Sequence, residues 1–421
     1  RTAILEGRFE NIGQASGRSP FWPAGNRPYA YGSLFFDFLL EPHGEERMGA
    51  FADAIAGQWI PYRLDAAGRD AFGVSLTDEW EAWRASLEAD LADLDERLLA
   101  NGPVTEPERL TERARWGLHP QISADGRWLA HTQADGRSDS QVRLVDLQTG
   151  ESRKLSRTNG LGVLSWLPDG RLLLSQVEFD DPYSLSSDLW IIDPAGGETR
   201  ITDGARLTQP SAGPDGGAWA IQEGDGTNTI VRVDLTTGAV TPLMPPSMSV
   251  HWAYPRPSPD GRWLVVTRWE PNAEHDVVIL DARTGDVIDT VTNDRALDTT
   301  PSWTPDGRGI VWASDRSGIL NILSAEVSAE TGRTSTPHIV TNLRTGGAYP
   351  VVDPAGEWVY FAGYHADGWD IERAPFSNGS GRSAAPALAR FEATEAFPAR
   401  GSFEGEVEGY SPVPTLAPSY W

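Results

Sequence analysis

The chain has 421 residues, a formal charge of −25, 39% hydrophobic residues including 17 tryptophans, and no cysteine. That apolar content supports a folded core in one or two domains, while the acidic excess excludes nucleic acid and anionic lipid surfaces, which need a basic footprint. Without cysteine there are no disulfides, no thiolate catalysis and no thiolate-bound zinc, and Lys154 is the only lysine.

Residues 1–28 carry Gly, Pro and Ser throughout and read as irregular. Gly32 to Leu40 reads as an apolar helix stopping at Pro42-His43-Gly44. Glu45 to Gly57 reads as a second helix, with acids at the end where the helix dipole favours them. Thr77 is the expected N-cap of a third. Its apolar stripe of Trp80, Trp83, Leu87, Leu91, Leu94 and Leu98 recurs at three- and four-residue intervals, as one buried face requires. No stretch has the apolar length of a membrane helix. The start at Arg1 carries no signal peptide and reads as an internal point of a longer polypeptide.

From Pro103 the pattern turns to strands. Ser123-Ala124-Asp125-Gly126-Arg127 recurs as Leu167-Pro168-Asp169-Gly170-Arg171, Gly213-Pro214-Asp215-Gly216-Gly217, Ser258-Pro259-Asp260-Gly261-Arg262 and Thr304-Pro305-Asp306-Gly307-Arg308, with Asp353-Pro354-Ala355-Gly356-Glu357 as a worn sixth copy. The glycines stand 44, 46, 45, 46 and 49 residues apart. A period in the forties built of short strands is the signature of propeller blades. Asp-Gly supplies the turn, since Gly accepts positive φ and Asp bonds nearby backbone, and this accounts for the repeated Asp better than calcium does. The last copy runs out after three strands, near Ile371-Glu372-Arg373-Ala374. Glu108-Arg109-Leu110-Thr111 matches the outer-strand phrase Thr199-Arg200-Ile201-Thr202, so an N-terminal strand is expected to complete the C-terminal blade and remove two exposed edges. The expected fold is therefore mainly β: a six-bladed β-propeller over residues 103–376, a small N-terminal α-helical region over 1–102, and a linker and C-terminal segment over 377–421.

The phrases Ser258-Pro259-Asp260-Gly261-Arg262, Ser314-Asp315-Arg316-Ser317-Gly318 and Gly363-Tyr364-His365-Ala366-Asp367-Gly368-Trp369-Asp370 resemble the PD40 (WD40-like) propeller repeats of the TolB family. The third repeat departs with Gly217 in place of Arg, and the sixth has lost the Asp. Tyr31-Gly32-Ser33-Leu34-Phe35-Phe36-Asp37-Phe38-Leu39-Leu40, followed by Gly44-Glu45-Glu46, is similar to the C-terminal helices of bacterial gluzincin-type zinc peptidases that carry such propellers. That resemblance implies a zinc site on a His-Glu-x-x-His helix upstream of Arg1, with no cofactor in this chain. Tyr410-Ser411-Pro412-Val413-Pro414-Thr415-Leu416 resembles the lead-in to an outer-membrane β-barrel.

Neither His-Glu-x-x-His nor the Gly-x-Ser-x-Gly elbow of a serine hydrolase occurs. His43 with Glu45 and Glu46 is the one local His/acid cluster, and it reads as a solvated turn. Catalytic and metal-binding residues are expected to be none. The tryptophans on buried strands, such as Trp128, Trp263 and Trp358, read as core. Trp116, His119, Trp252, Tyr254, Asp298, Arg344 and Tyr349 lie where one blade leads into the next, and these connections gather at one mouth of a propeller channel. They form the expected binding surface for a peptide or protein. The expected function is a catalytically inert binding and scaffolding module of a peptidase–propeller polypeptide. Its expected place is the periplasm or outer membrane of a Gram-negative-type bacterium. The alternatives are a standalone interaction protein of the Tol–Pal kind and a sugar-active lyase propeller.

Overall fold

The computed structural model describes residues 1–17, 22, 24–112, 114–270, 275–378, 382–385 and 387. Helices occupy Thr2 to Ala100, and strands follow from Glu108 to Pro375. The fold is mainly β and propeller-like, with a small helical region in front.

The helix Arg27–His43 stops at Gly44, whose φ of +88° suits glycine, and Arg47–Ala56 follows. The third expected helix differs from its expectation. Ser75, not Thr77, caps it: Ser75 is extended and accepts from the Asp78 amide, while Thr77 sits in the first turn and gives its amide and hydroxyl to Asp65. The stripe is carried by two helices, Leu76–Leu91 and Leu94–Ala100, rather than one. Residues 1–28 are not all irregular. Thr2–Leu5 and Ile12–Ser16 are helical, the second held by a capping box between Asn11 and Gln14. The helix Leu64–Phe72 was also unforeseen; a Cβ on Gly68 would stand 2.9 Å from Leu76 Cγ, so this glycine admits the next helix. The shared core joins Phe35, Leu39, Phe51, Phe72, Trp80 and Trp83.

Each repeat in the β region is an antiparallel meander. Its inner strands are Trp116–Ile122, Leu164–Trp166, Leu207–Ala212, His251–Pro257, Asp298–Trp303 and Gly347–Val352. Four repeats are separate four-stranded sheets; the first and last join in an eight-stranded sheet. The join is a single parallel bridge, Trp116 to Trp369, and no sheet closes on itself. Successive inner strands are neighbours, and the first neighbours the last. Glu108–Arg109 pairs antiparallel with the final strand Gly368–Pro375, and the Leu110 amide donates to Ile371 O at 2.8 Å. The outer strand missing from the last repeat thus comes from upstream, as its sequence phrase implied.

The repeated turns behave as their residues dictate. Gly126, Gly261 and Gly307 have φ of +72°, +72° and +67°. Asp125 accepts from Ser123 Oγ and the Arg127 amide, and Asp260 and Asp306 do the same in their repeats. Arg127, Arg262 and Arg373 lie over the rings of Trp128, Trp263 and Trp358, so these tryptophans pack under arginines. The expectations for Tyr410 to Trp421, and for most of 377–421, lie outside the described residues.

Candidate binding site

Seven residues before the turn glycine, five of the six inner strands break register. The shifts fall between Leu118 and Gln121, Thr208 and Ser211, Ala253 and Arg256, Thr299 and Ser302, and Ala348 and Val351. At each bulge one side-chain-bearing residue adopts positive φ: His119 at 56°, Gln209 at 52°, Tyr254 at 51°, Thr300 at 54° and Tyr349 at 58°. Each is followed by proline. Proline lacks the amide a ladder needs, and a bulge bends the edge away, so these inner edges are blunted. The second repeat has Val163-Leu164 instead and shows no such bulge.

The bulges bring side chains of separate repeats together. The His119 and Tyr349 rings lie 4.6 Å apart, and those of Tyr254 and Tyr349 5.8 Å apart. Bulged amides bond across repeats: Tyr254 N donates to Gln209 Oε1 at 2.6 Å, and Tyr349 N to Thr300 Oγ1 at 3.2 Å. A small cavity is lined by His119, Gln121, Tyr254, Arg256, Ser302 and Tyr349, with Thr300 and two prolines. Burial, together with the positive charge of Arg256, pulls His119 down to about 3, so it is neutral, and its Nδ1 is bonded to Thr132 Oγ1. Burial and the neighbouring Tyr349 push Tyr254 well above the usual phenol range. This lining offers neutral polar groups and one cation.

The structure brings together three of the seven expected residues: His119, Tyr254 and Tyr349. The other four have structural partners. Trp116 meets Trp22 of the helical region edge-on, 4.4 Å between centroids. Trp252 is buried in an apolar cluster with Trp219 and Ile230, its backbone bonded to Asn228. Asp298 is fully buried, 2.9 Å from Arg316 Nη2 and 2.8 Å from Trp312 Nε1; burial, only partly offset by Arg316, raises its carboxyl. Arg344 reaches Asp95 at 2.8 Å and also Glu106. The Trp116 and Arg344 contacts belong to the docking of the helical region. Glu6 accepts from His365 Nδ1 and the Ala366 amide, Trp22 Nε1 donates to Tyr364, and Asn342 Nδ2 donates to Leu98 O. Part of the expected mouth is therefore occupied by the chain's own N-terminal region. Sequence reasoning missed Arg256, Gln121, Gln209 and Thr300. The signal available was the residue-proline pair at constant distance before each Asp-Gly turn.

Among the described residues one carboxylate cluster has the spacing of metal ligands. Asp180, Asp188 and Asp203 bring carboxylate oxygens close together. Arg200 Nη2 lies among them, 2.6 Å from Asp188 and 2.7 Å from Asp203, so a guanidinium already balances the group. His43 closes its helix against Phe72, 5.9 Å between ring centroids. Neither arrangement fits the three-ligand zinc site of a peptidase.

Residues 182–251 match the family described as the Lipoprotein LpqB beta-propeller domain. An uncharacterized protein of Agrobacterium fabrum is 26% identical over 260 residues, covering 61% of this chain and 81% of that protein. Among solved structures, TolB from Acinetobacter baumannii is 19% identical, covers 65% of this chain and 57% of its own, and has a TM-score of 0.41. The putative TolB from Agrobacterium tumefaciens is 16% identical, covers 64% of this chain and 93% of its own, and has a TM-score of 0.45. The chain spans little more than half the length of the Acinetobacter protein.

Proposed function

We propose that this chain is a six-bladed propeller module of the bacterial cell envelope that binds a peptide or protein segment at the centre of its ring. The observation that carries the reading is the convergence of His119, Tyr254 and Tyr349 from three different inner strands around a polar cavity. Aromatic rings with polar tips, held by bulges, offer contact area and hydrogen bonds to an extended segment at small entropic cost. The match to a domain named for a lipoprotein supports an envelope setting. The resemblance of the front helices to gluzincin tails extends the reading. The parent polypeptide carries a zinc peptidase upstream and an outer-membrane barrel downstream, and this chain is its non-catalytic platform. A standalone Tol–Pal-type protein should set a mixed α/β domain directly before its propeller, whereas among the described residues Thr2 to Ala100, directly before the repeats, hold helices only.

The test is selection of phage-displayed dodecapeptides on the immobilised chain, followed by rebinding to Tyr254→Ala. Selected clones are expected to lose at least about tenfold in affinity, the loss of one buried aromatic anchor. Clones that bind Tyr254→Ala and wild type equally would move the binding surface elsewhere.

A further inference from the structure

Five residues before each turn glycine stands a second set of inner-strand positions: Gln121, Ser165, Ser211, Arg256, Ser302 and Val351. Arg256 is the only charged residue of the set. It lines the small cavity beside His119, Tyr254 and Tyr349, and no carboxylate lines that cavity. Among the described residues the Arg256 guanidinium has neither a hydrogen-bond acceptor nor an acidic partner; its backbone pairs with Val265 in the sheet, and its carbonyl also accepts from Trp303 Nε1 at 3.0 Å. Other half-buried arginines of this chain are matched to acids: Arg316 to Asp298, Arg200 to Asp188, Arg109 to Asp370. Arg256 has no such acid beside it. Arg256 is half-buried, and a partly desolvated charge without a counter-ion gains when something neutralises it.

Burial pulls Arg256 down to about 10, so it remains charged at neutral pH. His119 contributes no charge, being neutral and bound to Thr132. A single positive charge balances a single negative one, and a planar guanidinium fork matches a planar carboxylate edge to edge. A phosphate dianion would call for a second cation.

The geometry points to a carboxylate subsite at the centre of the ring, in which Arg256, framed by Tyr254, Tyr349, Gln121 and Ser302, receives one carboxylate of the bound peptide. For the carrier of that carboxylate this rests on the peptide-binding reading above. The carboxylate comes from an Asp or Glu side chain or from a chain terminus.

The experiment uses the full chain and three probes at constant ionic strength. Acetyl-Gly-Glu-Gly-amide offers a side-chain carboxylate, acetyl-Gly-Gly-Gly a terminal one, and acetyl-Gly-Gln-Gly-amide neither. One or both carboxylate probes are expected to raise the thermal midpoint in a saturable way, and the one that does names the source; the amide is expected to have no effect. In Arg256→Gln the apparent affinity should fall at least about tenfold, as for loss of a charge-assisted pair. Ser302→Asp provides a second reading that does not depend on removing Arg256. Its internal carboxylate should pair with Arg256, raise the midpoint and abolish the response. Equal responses in wild type and Arg256→Gln, or no response to either carboxylate, would overturn the subsite. Tyr254-dependent peptide capture without a carboxylate response removes the subsite and keeps the binding mouth. An Arg256-dependent carboxylate response without peptide capture keeps the subsite, for a small organic acid, and removes the peptide reading.

Discussion

The carboxylate of Asp188, fully buried, takes hydrogen bonds from Arg200 at 2.6 Å, Thr202 at 2.7 Å, and the amides of Gly204 and Ala205 at 2.9 and 3.0 Å. Burial alone would raise its pKa; these four donors outweigh it and hold the group below the usual carboxylate range. In the last repeat Asp370 accepts from Arg109, Thr111 and the Ala114 amide. The outer-strand phrase Arg-x-Thr thus exists to serve a buried Asp on the neighbouring strand. The phrase was legible because it repeats; its partner was not, since nothing local in Ser187-Asp188-Leu189 announces burial. Asp188→Ala should cost about 3 kcal/mol, the usual penalty for stripping one member from a buried pair. Asp169→Ala, in an exposed turn with Arg171, should cost under about 1 kcal/mol. Urea unfolding of the two variants measures the difference. His365 gives a pH signature. Burial opposes its charge, but Glu372 and Glu6 outweigh burial and raise it to about 9. Its folded value lies above the ordinary 6.5, so its contribution is complete below pH 6.5 and lost as pH rises through about 9. Hydrogen exchange in Thr2–Leu5 should be faster in His365→Ala than in wild type at pH 6.5, with the difference closing in alkali.

At the level of elements, what the sequence shows well is local. Asp-Gly turns and strand alternation depend on neighbours a few residues away, and both formed where expected. Helix boundaries were harder. Ser75 and Thr77 are both good caps by residue type, and only the extended backbone of Ser75 and the capture of Thr77 by Asp65 decide between them. Ser75→Ala should therefore destabilise the helical region by about 1 kcal/mol. Thr77→Ala should loosen only the contact with Leu64–Phe72. Circular dichroism melts of the two variants distinguish these outcomes. The inner-strand bulges were legible as residue-proline pairs, but proline inside a strand pattern normally argues against the strand. Its meaning emerges only once these strands are seen to be inner edges. The candidate site was legible in part for the same reason. His119, Tyr254 and Tyr349 are conspicuous by type, whereas Arg256 stands out only when its lack of an acid is known.

Across the whole molecule, the helices and the repeats are joined by charged and aromatic contacts. Arg344 with Asp95, His365 with Glu6 and Trp22 with Trp116 tie the N-terminal region to the first and last repeats. Chain order could not reveal this, since those pairs lie between 94 and 359 residues apart. The short strand Glu108–Arg109 sits at the same junction, laid against Gly368–Pro375. Its position sets a timetable for the nascent polypeptide. This clasp leaves the ribosome before the repeats it will fasten, and its counterpart emerges some 260 residues later. At ordinary elongation speeds that interval is roughly 15–50 s. Throughout it Glu108–Arg109 waits without the strand it pairs with.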